Sequence, residues 1–348
     1  MKLRRIVLVS LLLFSRVTFS QSSWDTTKYV KYKDRLVVTL YTSWRQFDYS
    51  FDQNFTNLDS GKSGAHYNAD ANSVSGLQLD YDKLSLSLSF KTAASNTALK
   101  GNTQYKNFNF SFGGNRWILE TSYRDYKGFY DINTSSYDTS FRKGSPYFQN
   151  SSMQVQQTKV KFMYFTNYKK FAYKSGYSYT CRQLKSAFSW VYGGNIYYNK
   201  HATDSSFFSP LIRSWYDQEA YLNQLNVFGI SAGIGASCNI VLFKRFFSNF
   251  TFNLYAEPQW RNYHRLDGST SKLCYLSSSG DARFSFGYNG RNFFIAINSL
   301  NDFTYINTSK LTIISKFISG SFSYGYRFKV KSPKIYDKFK ATKLYQLI

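Results

Sequence analysis

The sequence predicts an all-β chain, an antiparallel transmembrane β-barrel of about twelve strands within a range of about ten to fourteen. Three observations carry that prediction. Aromatic residues make up 20% of the chain, with 31 Tyr and 33 Phe against only 4 Pro, a composition that favours strands. Several long runs alternate apolar and polar residues with period two. Connections alternate between short turns and long polar loops, as in bacterial barrels with short turns in the periplasm and long loops outside. The mean hydropathy of -0.41 fits this class, because only every second strand residue faces lipid. Beyond residue 20 no apolar run reaches the about 18 residues a membrane helix needs, so any crossing is by strands.

Residues 1–20 carry the three parts of a cleavable signal peptide for export. These are Lys2, Arg4 and Arg5, then the apolar run Ile6 to Phe14, then Thr18-Phe19-Ser20 before Gln21. Residues 21–34 are expected to form a periplasmic N-terminal segment, 35–328 the barrel in the cell outer membrane, and 329–348 a basic tail.

Arg35 to Phe51 reads as one bent strand. Leu77, Leu79 and Tyr81, then Leu84, Leu86, Leu88 and Phe90, alternate with polar residues on both sides of Asp82-Lys83, which marks a hairpin. Phe108, Phe110 and Phe112 alternate up to the turn Gly113-Gly114-Asn115. The return strand carries Trp117, Leu119, Thr121 and Tyr123 on one face and Glu120, Ser122 and Arg124 on the other. A third pair is expected from Met153 to Phe165 and from Phe171 to Thr180. Lys159 and Lys161 should point into the lumen there, since each would cost about 2 to 4 kcal/mol on a lipid face.

The longest alternation runs from Phe228 to Leu242 and, after a short turn, from Phe250 to Trp260. Strands of about 13 to 17 residues suit a tilted membrane wall better than a soluble sheet, whose strands average about 5 or 6. Pro258 is expected near a rim. The last pairs are Asp281 to Tyr288 with Phe293 to Ser299, then Thr312 to Phe328, where Phe322, Tyr324, Tyr326 and Phe328 suit an interfacial aromatic girdle.

Short turns are expected near Asp82, Gly114, Asn167, Lys244 and Asn289. Long connections are expected over Asp52 to Ser73, Lys91 to Gln104, Lys127 to Ser152, Tyr263 to Gly280 and Leu300 to Lys310. This gives about thirteen segments, an odd number, whereas two ends in the periplasm require an even one. Either Ser186 to Asn199 merges with a neighbour, or His201 to Gln224 hides a further strand. In the tail, Ile335, Phe339, Leu344 and Leu347 recur at helical spacing after Pro333, so a short amphipathic helix stands beside a solvated basic tail as the two readings.

The net charge of +24 invites a nucleic-acid reading, but the Lys and Arg are scattered and no nucleic-acid motif accompanies them. A basic lumen and basic rims against anionic headgroups account for the charge. The expected partners are therefore membrane lipid, together with anionic solutes or surface partners, and no nucleic acid. Cys181, Cys238 and Cys274 with His66, His201 and His264 show no metal-ligand spacing, so neither a metal nor a cofactor is expected. The glycines from Gly229 to Gly235 sit in a strand with no helix following, which excludes a phosphate loop and suggests close approach to the inner wall.

His264, close to Ser269 and Ser271, is the one arrangement that suggests a nucleophile and its base. No nucleophile elbow accompanies it, and a histidine at a barrel rim is ordinarily a solvated interface residue. His201 beside Asp204 and Ser205 is a lesser case of the same kind.

Several short stretches carry a family resemblance. They are Trp24-Asp25-Thr26-Thr27 with Tyr32-Lys33-Asp34-Arg35-Leu36, then Tyr126-Lys127-Gly128-Phe129-Tyr130, then Gln183 to Gly194 with Lys185-Ser186-Ala187, and Phe286-Gly287-Tyr288-Asn289-Gly290. Together they resemble an uncharacterised Bacteroidetes outer-membrane-type family, domain of unknown function 4421, over nearly the whole chain past the leader. The resemblance implies an outer-membrane-type barrel with no assigned activity and no functional residues to carry over. The chain departs from many outer-membrane barrels in continuing past Phe328.

Two classes of function follow. One is a structural or transport barrel, either a pore with a basic lumen or a closed barrel presenting loops. The other is a lipid-active barrel enzyme using His264. A secreted soluble β-sandwich that binds carbohydrate is a third.

Overall fold

The computed structural model describes residues 24–53, 64–92, 97–307, 311–342 and 345. The expected leader, 1–20, and the tail positions Leu344 and Leu347 lie outside the described residues. The strands are β1 (Tyr29–Lys31), β2 (Arg35–Gln53), β3 (Ala65–Tyr81), β4 (Leu84–Lys91), β5 (Gln104–Gly113), β6 (Trp117–Asp131) and β7 (Phe148–Phe165). They continue with β8 (Cys181–Gln183), β9 (Ala187–Ala202), β10 (Leu222–Leu242), β11 (Phe246–Arg265), β12 (Thr270–Asn289), β13 (Phe293–Asn307) and β14 (Leu311–Lys329). Twelve of them, β2 to β7 and β9 to β14, pair antiparallel in chain order, and β14 closes on β2 to complete a barrel. Lys329 pairs with Arg35, so the barrel begins and ends at the same rim. That rim, the short-turn end, also carries the tight turns after Tyr81, Gly113, Leu242 and Asn289.

Period two sorts the side chains as the pleat requires. Leu88, Phe90, Trp190, Ile196, Ile234, Leu254, Ile297 and Phe322 stand exposed on the outside, and so do the girdle residues Tyr324, Tyr326 and Phe328. Glu257 and Arg261 of β11, Asp302 of β13 and Arg327 of β14 point inward. A contiguous apolar exterior around a polar interior inverts the arrangement of a soluble protein and is that of a transmembrane β-barrel. Lys159 and Lys161 face the lumen and Phe162 the outside.

The odd segment in the strand count is Phe171 to Thr180. It forms no barrel strand but belongs to an insert, residues 166–186, which folds back into the short-turn end around the helical turn α1 (Lys174–Tyr177). Its alternating aromatics imitate a strand because they face two partners: Phe171 and Tyr173 pack on Phe165 from β7, while Tyr179 stacks on Phe294 from β13 at 3.7 Å. Asn167 therefore opens the insert instead of a hairpin. β9 is a strand in its own right, and residues 203–221 hold no barrel strand, so neither expected remedy for the parity applies.

Two of the expected long loops are strand instead. β11 runs to Arg265 and β12 starts at Thr270, while β13 continues to Asn307. Outward positions at this end, such as Lys272 and Cys274, no longer carry large apolar side chains, so the ladder persists after its hydrophobic signal has gone. Pro258 lies well inside β11. It pairs with Leu276 of β12, and β10 and β11 keep one register on either side of it, from Gly229 with Gln259 to Ala232 with Ala256.

β4 and β5 are short, at 8 and 10 residues. Beyond them β3 meets β6 directly, pairing Tyr67 with Asp131 and Asn68 with Tyr130. Gly128 makes this seam possible. Its φ of 88° suits glycine, and the Asn102 carbonyl occupies the place where a Cβ would stand.

The tail forms a helix, α2 (Lys334–Lys340), docked on the short-turn end. Tyr336 donates to the Asp82 carboxylate at 3.0 Å and Phe339 packs on Phe112, whereas Ile335 of the expected apolar face is exposed.

Candidate functional site

The lumen is divided into three layers. At the long-loop end, residues 203–221 dip into the mouth. Phe207, Phe208 and Ile212 are fully buried against Phe51, Tyr67 and Leu222, and Phe208 stacks on Tyr216 at 3.6 Å. The Tyr216 hydroxyl donates to the Phe51 carbonyl and accepts the Ala65 amide at 2.8 Å, so the cap is fixed to β2 and β3.

At the short-turn end lies the insert. Its backbone polar groups, out of reach of bulk water, need partners, and asparagines of the barrel supply them. Asn239 donates to the Ala172 carbonyl at 3.0 Å, Asn289 to the Ser175 carbonyl at 3.0 Å, and Asn115 accepts the Lys174 amide. Arg327 donates through Nε to the Tyr179 carbonyl at 2.8 Å and through Nη2 to Asn289 at 2.5 Å. β1 pairs with β8, tying the N-terminal segment to the insert. Gln183 joins them: its Nε2 donates to the carbonyls of Lys28, Lys170 and Lys185, and its Oε1 accepts the Ala172 amide at 2.8 Å.

Between the two lies a chamber of about 280 Å³. Five strands aim charges toward it, β2 through Arg45 and four others through a connected set. β6 gives Glu120 and Arg124, β7 gives Lys159 and Lys161, β12 gives Asp281 and Arg283, and β13 gives Asp302. Arg283 forks onto Glu120 at 2.6 and 2.8 Å and also donates to the Tyr173 hydroxyl of the insert at 2.7 Å. Lys161 meets Asp281 at 2.5 Å, and Asp302 accepts from Lys159 at 2.9 Å and from Arg124 at 3.2 Å. β6 and β13 lie opposite each other in the strand order, so these ion pairs bridge the lumen from wall to wall. Serines cover much of the remaining wall, among them Ser85, Ser87, Ser319, Ser321 and Ser323. Arg45 stands on the cap side of the chamber, and among the described residues its partners are hydroxyls, those of Ser43, Ser89, Tyr105 and Tyr41.

A second cavity, of about 390 Å³, opens beneath the insert between the N-terminal segment, the turns at Asp82 and Gly114, and the tail. Lys31, Lys33, Lys83 and Lys340 line it against Asp34 and Asp82. Burial lowers the Lys83 amine to about 8, although Asp82 opposes the shift.

The structure separates His264 from Ser271. His264 pairs with Thr270 and Ser271 with the inward Tyr263, so alternation sets the two on opposite faces of the sheet. His201 is buried and stacks on Tyr49 at 4.6 Å, apart from the exposed Asp204. Cys181 is buried beside Asn115, Cys238 is half-buried and Cys274 exposed. Over Gly229 lies the Tyr197 ring from β9, so the approach expected at these glycines comes from a neighbouring strand. The chamber charges escaped the sequence reading as a group. Their inward parity was legible at Glu120, Arg124, Lys159 and Lys161, but which strands face one another across the lumen depends on closure.

Among curated proteins, none matches the chain. The solved structures it is similar to include the outer membrane protease OmpT from Escherichia coli, at 8% identity and a TM-score of 0.39, covering 86% of this chain and 98% of that one. The translocator domain of the autotransporter NalP from Neisseria meningitidis gives 8% and 0.34, covering 84% and 88%. The P. putida toluene transporter TodX gives 7% and 0.27, covering 86% and 91%. The resemblance motifs themselves fall where the insert and the seam are held, with Gln183 and Asn289 bracing the insert and Gly128 the seam. In agreement with that pattern, the family described as Domain of unknown function (DUF4421) matches residues 23–328, and the chain belongs to it.

Proposed function

We propose that this protein is an outer-membrane β-barrel that is closed at rest, with its short-turn end in the periplasm, and that it holds a hydrophilic solute in its chamber instead of passing solutes freely. The observation that supports this reading is the double filling of the lumen. An aromatic cap occupies one mouth and a hydrogen-bonded insert the other, while a polar space is kept between them. An open pore needs neither filling, and a purely structural barrel has no use for ion pairs across its lumen, since apolar packing of similar volume is often at least as stabilising. In planar bilayers the intact protein is expected to insert without a steady single-channel conductance. A stable open conductance from the intact chain would replace this reading with that of a pore.

A further inference from the structure

We infer that the chamber is a binding site for a small oxyanionic solute, one bearing a phosphate, sulfate or carboxylate group on a hydroxylated body, which reaches it from the short-turn end past Lys174. The inference rests on the closed-barrel reading and adds to it the ligand class and the side of access. Charge selects the class. Arg45, Arg124, Lys159, Lys161, Lys174 and Arg283 line the chamber, while Glu120 and Asp302 are the carboxylates that line it and Asp281 stands behind Lys161 and Arg283. Glu120 is taken by Arg283, Asp281 by Lys161, and Asp302 is shared between two cations. Among the described residues, no carboxylate lies within ion-pair distance of Arg45 or Lys174; the Lys174 ammonium donates to the Asp82 carbonyl at 2.7 Å. A chamber with this surplus of cations, set in a wall of low dielectric, favours an anion that accepts from them. The serine hydroxyls beside them suit a hydroxylated body better than an apolar one.

Access follows from the two fillings. At the long-loop mouth the described residues of the cap pack aromatic and aliphatic side chains into the opening. On the other side, Lys174 is 4% exposed and lines both the chamber and the second cavity, so one flexible side chain stands between two basic spaces. An anion drawn to Lys31, Lys33 and Lys83 meets Lys174 next, and beyond it the chamber.

The test uses the full-length protein in nonionic detergent, at constant ionic strength, with glucose 6-phosphate as the probe and glucose as the neutral control in equilibrium dialysis. Saturable retention of about one glucose 6-phosphate per chain, with no retention of glucose, is expected. Arg45→Gln should weaken retention at least about tenfold, the effect of losing a charged hydrogen-bond donor, and Lys33→Gln with Lys83→Gln should slow uptake. Inorganic phosphate should compete if the oxyanion is what is recognised. Equal retention of ester and sugar, or none of either, overturns the inference, and this comparison holds even if a variant fails to fold. Conductance measured on the same preparation keeps the two claims apart: a closed barrel that retains no ester refutes the site alone, whereas a conducting barrel refutes the closed reading.

Discussion

Asp302 accepts from Lys159 and Arg124 at once, and removing its charge leaves both cations of the β6–β7 wall facing a neutral amide. Breaking a dry ion pair costs about 3 to 5 kcal/mol. These side chains keep 9 to 17% of their exposure, so the smaller scale of a charged hydrogen bond applies, about 1.5 to 3 kcal/mol. Asp302→Asn should therefore lower the unfolding free energy obtained from urea titration by about that amount. Ser321→Ala on β14, the strand beside that of Asp302, should move it little, and equal effects of the two substitutions would mean that the ion pairs do not hold the walls together. Which side of the wall each residue occupies was readable from alternation alone, as at Lys159 and Lys161. Their partners were not, because Asp281 and Asp302 lie more than a hundred residues away and come within reach only when β14 closes on β2.

The strands themselves were legible wherever lipid writes period two into the sequence, and they blurred wherever it does not. β12 shows the boundary within one element. Its half near Phe284 and Phe286 alternates, while its half near Ser277 to Ser279 reads as a loop, although both halves pair with β11 without interruption. The insert failed in the opposite direction, since Phe171, Tyr173 and Tyr179 alternate for packing reasons that have nothing to do with a sheet. Insert and cap make separate predictions for transport. Replacing residues 168–184 by a short turn leaves the aromatic cap in place, and trimming the cap between Asp204 and Glu219 leaves the insert. Each single deletion should therefore stay non-conducting in planar bilayers, and the double deletion should conduct. Conductance after removal of one element alone would show that the other does not seal.

For the molecule as a whole, the orientation proposed above rests on the placement of both barrel termini and the tight turns at one rim. A protease-cleavable tag at Ser136, in the connection between β6 and β7, should be cut on intact cells, and the same tag at Gly114 should be protected. The reverse pattern would turn the barrel over and put the basic cavity outside. The seam where β3 meets β6 gives the barrel a shape as well as a closure. At that height β4 and β5 have ended, so ten of the twelve strands make up the wall. With neighbouring strands about 4.8 Å apart, the loss of two shortens the girth by about 10 Å. The barrel is thus a funnel, narrow where the cap's few aromatic rings suffice to stopper it and broad where the insert, the N-terminal segment and the tail crowd together. On the reading proposed above, a solute admitted at the broad end would reach Arg45 just before the wall narrows, because Ser89 of β4 and Tyr105 of β5 still stand beside that residue.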